Sequence, residues 1–359
     1  KNINKMITFQ KFCLLQEGGA GGHMAHPFDL PDVNNGKQLL KKFDQVIKHL
    51  QNTPAAIKLD GVNAASKIIT NENGEKEFAR DRGSMKPLDI KGITERDLLD
   101  RFGEGHGMVN VGQALLPILN AVIETAEPEL TKLGLLGDQD PTESVFLNIE
   151  YISGKTNVVD YGQNIIALLG VNKFAIGPTG KSRRGTEIRY DVKALESLKD
   201  KLQVIARNSD FTVYTSIPGT LPGNIDYSDI LQEPITIQFT PEESDTKSLG
   251  IWLNSAINPR DGKIDINGKK QTVMTKSHYF YTMDKQGPLD ALTQDKKSQK
   301  MLVDGAIMYH ATKNIGERIK QNINSPVDVG EGLVIRGMDN TTFKITGEFI
   351  VSGMMTGFR

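Results

Sequence analysis

A lysine, an acidic residue and a glycine stand close together in the run Lys58-Leu59-Asp60-Gly61. A lysine amine becomes a nucleophile when it loses its proton, and nearby positive charge or a metal ion favours that loss. A glycine lets the backbone turn tightly beside a bulky phosphate group. The run therefore indicates an amine that attacks a phosphorus atom, although so short a pattern also arises by chance from a solvated lysine beside an Asp-Gly turn.

A helix and a small sheet are predicted to position Lys58. Apolar residues recur at helical spacing over 36–52 and predict an amphipathic helix, which Thr53-Pro54 ends. Residues 55–58 predict a short strand, and residues 65–80 predict a hairpin with an Asn-Gly turn. We therefore expect Lys58 on or beside a small sheet.

Strands are predicted early and late in the chain, and the middle is mixed and rich in helices. Further helices are predicted at 94–102, 108–133 with interruptions near Pro117 and Pro128, 191–207 and 289–323, and further strands at 143–152, 164–176, 331–336, 341–346 and 348–352. This order predicts an α+β fold rather than an alternating βαβ fold. We expect an irregular N-terminal arm at 1–35 and one domain at 36–359 with a large helix-rich insertion at 178–328.

Further motifs follow Lys58 along the chain. They are Val62-Asn63, Arg80-Asp81-Arg82-Gly83, Leu147-Asn148-Ile149-Glu150-Tyr151, Lys173-Phe174-Ala175-Ile176, Glu331-Gly332-Leu333-Val334-Ile335-Arg336 and Phe343-Lys344-Ile345. Together with the lysine run, this ordered set resembles the covalent nucleotidyltransferase superfamily of ATP-dependent DNA ligases, RNA ligases and mRNA-capping guanylyltransferases. The resemblance spans residues 55–346. Asn63 makes the motif Val62-Asn63 more similar to that of the RNA ligases, because DNA ligases have an arginine in place of this asparagine.

The resemblance implies a ligase-type nucleotidyltransferase fold, in which antiparallel sheets are flanked by helices, and a reaction that uses ATP and Mg²⁺. By that resemblance Lys58 would form a lysyl–AMP intermediate, Asp60 would orient the region of Lys58, and Lys344 would contact the α-phosphate. Many members have two lysines on the last strand, two positions apart. Here Thr342 and Thr346 flank Lys344, so the pair is missing.

The nucleotide-binding residues implied by the resemblance come from the middle motifs. Arg80 or Arg82 would contact the nucleotide or a 5′-phosphate end, and the match does not choose between them. Asn63 belongs to the same nucleotide site, Glu150 would contact the ribose or a metal-bound water, and Phe174 would stack on the purine. The metal ligand implied is Glu331, because Mg²⁺ prefers hard oxygen ligands such as carboxylate and phosphate.

Two classes of function remain open. The first is an ATP-dependent polynucleotide ligase that seals nucleic acid with a 5′-phosphate end, with RNA favoured over DNA because of Asn63. The second is a nucleotide-binding structural or interaction protein, or another adenylyltransferase or guanylyltransferase. DNA ligases and capping enzymes have a further nucleic-acid-binding domain after the last motif, and the residues after Lys344 suggest none. The insertion or a protein partner would then have to bind the substrate.

Composition limits the partners and the compartment. Hydrophobic residues make up 38% and charged residues 24% of the chain, which predicts a soluble globular protein. The formal net charge is -1, so a polyanion site must be a local patch. Cys13 is the only cysteine, which excludes an internal disulfide and suits the cytoplasm. No apolar run approaches the roughly 18–20 residues that span a bilayer, so no membrane partner is expected.

Overall fold

The computed structural model describes residues 24–80, 92–137, 143–154, 159–175, 186–223, 228–232, 263–266, 269–272, 308, 311–338 and 341–347. The described chain is α+β, and nearly all of its strand pairs are antiparallel, which agrees with the predicted class. Backbone contacts divide the chain into two compact units. The first comprises 1–24, 56–218 and 325–343, and the second comprises 25–55, 219–324 and 344–359.

Thirteen strands are described. They are β1 Ala55–Lys58, β2 Val62–Asn63, β3 Ser66–Thr70, β4 Lys76–Arg80, β5 Glu143–Ile152, β6 Asn164–Ala175, β7 Thr186–Glu187, β8 Phe211–Tyr214, β9 Pro218–Gly219, β10 Lys263–Ile266, β11 Lys269–Thr272, β12 Gly332–Met338 and β13 Thr341–Ile345. A seven-stranded sheet has the order β4-β3-β5-β6-β7, with β2 paired to β5 and β8 paired in parallel to β6. A four-stranded sheet has the order β13-β12-β1-β9, and β10 pairs with β11.

Several of the described helices begin at a residue whose side chain accepts a hydrogen bond from their first turn. The described helices are α1 Gly36–Leu50, α2 Glu95–Phe102, α3 Gly107–Asn120, α4 Glu127–Lys132, α5 Val192–Ala206, α6 Ser228–Gln232 and α7, residues 311–321. The side chains of Asn35, Thr94 and Asp191 accept hydrogen bonds from the first turns of α1, α2 and α5. Pro117 lies inside α3, which ends at Asn120, and Pro128 lies in the first turn of α4, so the predicted run 108–133 is interrupted between the two prolines. In a first turn the backbone N–H that proline lacks would have no partner within the helix.

The long strands of the seven-stranded sheet separate a helix-covered face from an opposite face. On β5, Leu147, Ile149 and Tyr151 are buried in one apolar core with residues of α2–α5. Asn148 and Glu150 alternate with them and therefore lie on the opposite face. On β6 the same alternation places Ile166 and Leu168 in the core. The face that carries Glu150 is the one that matters for the candidate site.

The second unit contains the helices α1, α6 and α7. Lys42 is buried on α1, and its amine lies 2.6 Å from the carboxylate of Asp32. Residues 24–35 of the predicted irregular arm contain a short 3-10 helix, Pro27–Asp29. Residues 1–23, the strand predicted at 348–352 and much of the predicted insertion at 178–328 lie outside the described residues, and the insertion stays a prediction.

No helix in the described parts of the chain is both long enough and apolar enough to cross a membrane.

Candidate active site

A cavity of about 320 Å³ lies in the first unit beside Lys58, at the small end of the usual range for ligand sites. Its lining comes from the run after β1, from β5 and β6, from the segment after β8, and from β12. The lining residues are Ala56, Ile57, Lys58, Leu59, Asp60, Gly61, Asn63, Glu150, Ala167, Leu169, Thr215, Ser216, Ile217, Glu331, Val334 and Arg336. Residues of both large sheets therefore face one cavity.

Lys58 and Glu331 form an ion pair at the wall of this cavity. Strands β1 and β12 are antiparallel, and their register pairs Lys58 with Gly332. Glu331 therefore stands directly before β12, beside the end of β1. The distance from Lys58 Nζ to Glu331 Oε1 is 2.6 Å, and the two side chains are 18% and 12% exposed. Gly332 has φ 148°, a value that side-chain-bearing residues rarely adopt, which explains the glycine after the glutamate.

Asp60 is held by the segment 159–161, which sequence analysis did not select. The backbone N–H of Asp60 donates to Tyr161 Oη at 2.7 Å, and Asp60 Oδ2 accepts from the backbone N–H of Val159 at 3.0 Å. Tyr161 is buried. Burial raises the pKa of its phenol, and the nearby carboxylates of Glu331, Asp60 and Glu150 raise it further. The hydroxyl is therefore neutral throughout the physiological range.

Gly61 permits a close contact between the lysine run and strand β5. A Cβ atom at this position would lie 2.7 Å from Ile152 Cγ1, 2.8 Å from the carbonyl oxygen of Tyr151 and 2.9 Å from Glu150 Cγ. No larger residue fits without displacing β5. The glycine thus has a packing role against the strand that carries Glu150, in addition to the turn expected from the sequence.

Asn63 and Glu150 are opposite each other in the pairing of β2 with β5. Asn63 Nδ2 donates to Asn148 Oδ1 at 2.7 Å, so the buried Asn148 amide fixes the Asn63 side chain at the cavity. Arg80, at the end of β4, donates from Nη2 to the Asn63 carbonyl oxygen at 3.4 Å. The structure therefore connects Asn63, Arg80 and Glu150 around β5, and of these three Asn63 and Glu150 line the cavity.

Two further predicted site residues lie on strands β13 and β6. Lys344 lies on β13 in the second unit, where it is buried and its backbone N–H donates to the Ala25 carbonyl oxygen at 2.9 Å. Phe174 lies on β6 opposite Ser144 of β5. Arg82 lies outside the described residues, so the choice between Arg80 and Arg82 stays open.

Three cavity or near-cavity residues were missed as site residues: Tyr161, Asn148 and Arg336. Asn148 and Arg336 lie within motifs that the sequence analysis had named. The alternation of side chains along a strand could have identified both as site residues. Arg336 is on the same face of β12 as Val334, and Asn148 is on the same face of β5 as Glu150. Tyr161 had no such signal, because its partner Asp60 is 101 residues away.

The charged lining suits a phosphate-bearing ligand with its own metal ion. Lys58 and Arg336 supply positive charge, and Asp60, Glu150 and Glu331 supply carboxylates. No group of three or more His, Cys, Asp or Glu side chains arranged to hold a metal ion occurs among the described residues. Mg²⁺ is commonly held by one or two carboxylates together with substrate phosphates. Glu331 fits that kind of site.

Comparisons of the chain with protein-family models, with curated proteins and with solved structures found no match.

Proposed function

We propose that this chain is an ATP-dependent polynucleotide ligase that acts through a lysyl–AMP intermediate on Lys58, with RNA as the favoured substrate. The observation that carries the proposal is the ion pair of Lys58 and Glu331 at a cavity of ligand size. The two residues belong to the first motif and to one of the last motifs of the ordered set. The ligase-type form of the α+β fold is part of the same proposal.

In the first step the neutral amine of Lys58 attacks the α-phosphorus of ATP. An N–P bond forms, the bond from the α-phosphorus to the bridging oxygen breaks, and pyrophosphate leaves with the electron pair. An ammonium group has no lone pair, so Lys58 must lose its proton first. Glu331 Oε1, at 2.6 Å from the lysine nitrogen, is within hydrogen-bond distance to accept that proton.

Negative charge grows on the phosphoryl oxygens during each transfer, and fixed cations stabilise it. Arg336 is the second cation in the cavity lining and is suited to this role. A Mg²⁺ ion held by Glu331 and by phosphate oxygens would supply further charge neutralisation. The motif resemblance adds Lys344 and Arg80 or Arg82 as further contacts.

Two transfers would complete strand sealing. The 5′-phosphate of a polynucleotide attacks the phosphorus of lysyl–AMP, which releases Lys58 and leaves AMP joined to the polynucleotide end. A 3′-hydroxyl then attacks the 5′-phosphate, a phosphodiester forms, and AMP leaves. RNA is the favoured substrate because Asn63 resembles the RNA-ligase motif, and its side chain is held by Asn148 at the cavity.

The second candidate is transfer of AMP or GMP to another acceptor, or nucleotide binding without transfer. It is favoured by the charged lining of the described cavity. Lys58, Asp60, Glu150, Glu331 and Arg336 are suited to phosphate, ribose or a metal ion, and none of these five charges would distinguish a polynucleotide from another acceptor.

Labelling distinguishes these candidates. The protein is incubated with α-labelled ATP or GTP and Mg²⁺, and we expect acid-labile, base-stable label on the wild type from ATP. Lys58→Ala should carry none, whereas Lys76→Ala, which changes an exposed lysine on β4, should label normally. Absence of label on the wild type, or equal label on Lys58→Ala, would refute the enzyme proposal. Nicked RNA, DNA and hybrid duplexes then separate strand sealing from transfer to another acceptor.

A further inference from the structure

The segment 159–161 holds Asp60 by two hydrogen bonds from opposite sides of that residue. The Asp60 backbone N–H donates to Tyr161 Oη at 2.7 Å, and the Asp60 carboxylate accepts from the Val159 N–H at 3.0 Å. Leu59 and Asp60 lie outside any strand, so sheet pairing does not fix this stretch of backbone. The segment 159–161 therefore supplies hydrogen bonds that a strand would otherwise provide.

The same segment also packs beside the partner of the lysine. A Cβ atom at Gly330 would lie 2.4 Å from Val159 Cγ1, so the Val159 side chain fills the space beside Gly330. Gly330 directly precedes Glu331, which pairs with Lys58. Val159 and Tyr161 thus contact the backbone on both sides of the ion pair.

The Tyr161 hydroxyl has the properties of a fixed acceptor. Its side chain is 7% exposed, and burial together with the nearby carboxylates keeps the phenol neutral by raising its pKa. A neutral phenol oxygen accepts one backbone N–H well, and phenylalanine cannot replace it in that role. Loss of the oxygen would leave the partly buried Asp60 N–H without this acceptor.

We propose that Tyr161 is a positioning residue, which holds the backbone of Lys58-Leu59-Asp60-Gly61 so that the Lys58 amine is aimed at the α-phosphorus. Its catalytic consequence rests on the proposed function, whereas the positioning itself is a property of the fold. Tyr161 does not line the cavity, so it acts through Asp60 and not by contact with the nucleotide.

Hydrogen exchange tests the positioning without any activity. In the wild type the Asp60 amide should exchange slowly although it lies outside a strand. Tyr161→Phe should raise its exchange rate by about tenfold or more, as expected for loss of a protecting hydrogen bond. Tyr214→Phe is the matched control, because the Tyr214 hydroxyl is 3.5 Å from Gln163 Nε2 and is not at the cavity. An unprotected Asp60 amide in the wild type would overturn the proposal even if Tyr161→Phe did not fold.

Single-turnover labelling tests the consequence. Tyr161→Phe should lower the rate constant of lysyl–AMP formation by about tenfold and change the KM for ATP by less than about twofold, because the lysine is misaimed while the nucleotide contacts remain. Tyr214→Phe should match the wild type in both constants. An unchanged rate constant, or a loss confined to KM, would overturn the positioning role. Absence of label on the wild type would instead refute the proposed function, and the exchange data would still decide whether Tyr161 holds Asp60.

Discussion

Lys58 Nζ lies 2.6 Å from Glu331 Oε1, with both side chains more than four-fifths buried. The two residues meet because β1 and β12 are antiparallel neighbours, and the Lys58–Gly332 pair sets their register. A close carboxylate favours the ammonium form of lysine over the neutral amine. The pair therefore holds Lys58 in place as an ammonium group, which is not nucleophilic. For the reaction, Glu331 must either accept the proton from Lys58 or bind a metal ion in place of the lysine.

Glu331→Gln should abolish most of the labelling by ATP. The amide keeps the size of the side chain but can neither accept the lysine proton nor bind Mg²⁺ strongly, so we expect a loss of about 100-fold or more in the labelling rate. The measurement is single-turnover label formation at saturating Mg²⁺. Glu124→Gln, which changes an exposed glutamate of the same unit, should keep the wild-type rate. A wild-type rate for Glu331→Gln would contradict the assigned role.

The same pair predicts a non-additive effect on stability. Lys58→Met removes the lysine from the ion pair with the mostly buried Glu331 carboxylate and should cost about 1–3 kcal/mol, and Glu331→Leu should cost a similar amount. The double variant removes both charges and should lose less than the sum of the single changes by at least about 1 kcal/mol. Urea unfolding of the four proteins measures this coupling free energy. Strictly additive losses would mean that the ion pair contributes nothing to the fold.

Much of the fold around this pair could be predicted from local sequence pattern. The strand predicted at 143–152 matches β5, Glu143–Ile152, because this segment is rich in the β-branched and aromatic residues that are typical of sheets. The strand that carries Lys58 and the strand that directly follows Glu331 were also predicted within two residues at each end. The predicted interruption of the run 108–133 near Pro117 and Pro128 is confirmed, since α3 ends at Asn120 and α4 begins at Glu127.

The contacts between distant segments could not be predicted in the same way. Tyr161 and Asp60 are 101 residues apart, and Asn63 and Asn148 are 85 apart. Tertiary packing decides these contacts, and no local periodicity marks them. The close packing at Gly61 and Gly330 is of the same kind, since a Cβ atom placed at either glycine would meet a side chain from another strand or segment. The sequence therefore indicated candidate reactive residues more readily than it indicated the residues that position them by hydrogen bonds and packing.

Gly61→Ala should damage both stability and labelling. The added methyl group would meet the Tyr151 carbonyl oxygen at 2.8 Å and Glu150 Cγ at 2.9 Å, so β5 or the lysine run must move. We expect a loss of about 1–3 kcal/mol in the free energy of unfolding. Gly154→Ala is the control, because a Cβ at that position has nothing within 4 Å and should change stability by less than about 0.5 kcal/mol. Equal stability of the two variants would contradict the close packing at Gly61.

Arg336 should contribute to nucleotide binding as the second cation of the cavity. Many members of the resembled superfamily have two lysines on the last strand, two positions apart, whereas in this chain Thr342 and Thr346 flank Lys344. Arg336 on β12 supplies a positive charge in the cavity lining. Arg336→Ala should raise the KM for ATP by about tenfold, the value of one charge-assisted hydrogen bond. Arg336→Lys should recover part of the affinity, and Arg96→Ala on α2 should have no effect. An unchanged KM in Arg336→Ala would remove Arg336 from the site.

Acid should weaken the packing of α4 on α5 through Glu129. Its carboxylate accepts from Lys201 Nζ at 2.7 Å and from Ser197 Oγ at 2.8 Å, and these bonds lower its pKa from 4.5 to about 2. A lowered folded-state pKa gives stability that is complete above the unfolded pKa of 4.5 and is lost as the pH falls towards 2. Because Lys201 is 34% exposed, solvent screening limits the contribution to on the order of 1 kcal/mol.

Urea unfolding at about pH 6 should therefore find Glu129→Gln less stable than the wild type by that amount, and the difference should shrink towards zero near pH 2. A wild-type advantage over Glu129→Gln that stays constant with pH would contradict the assignment.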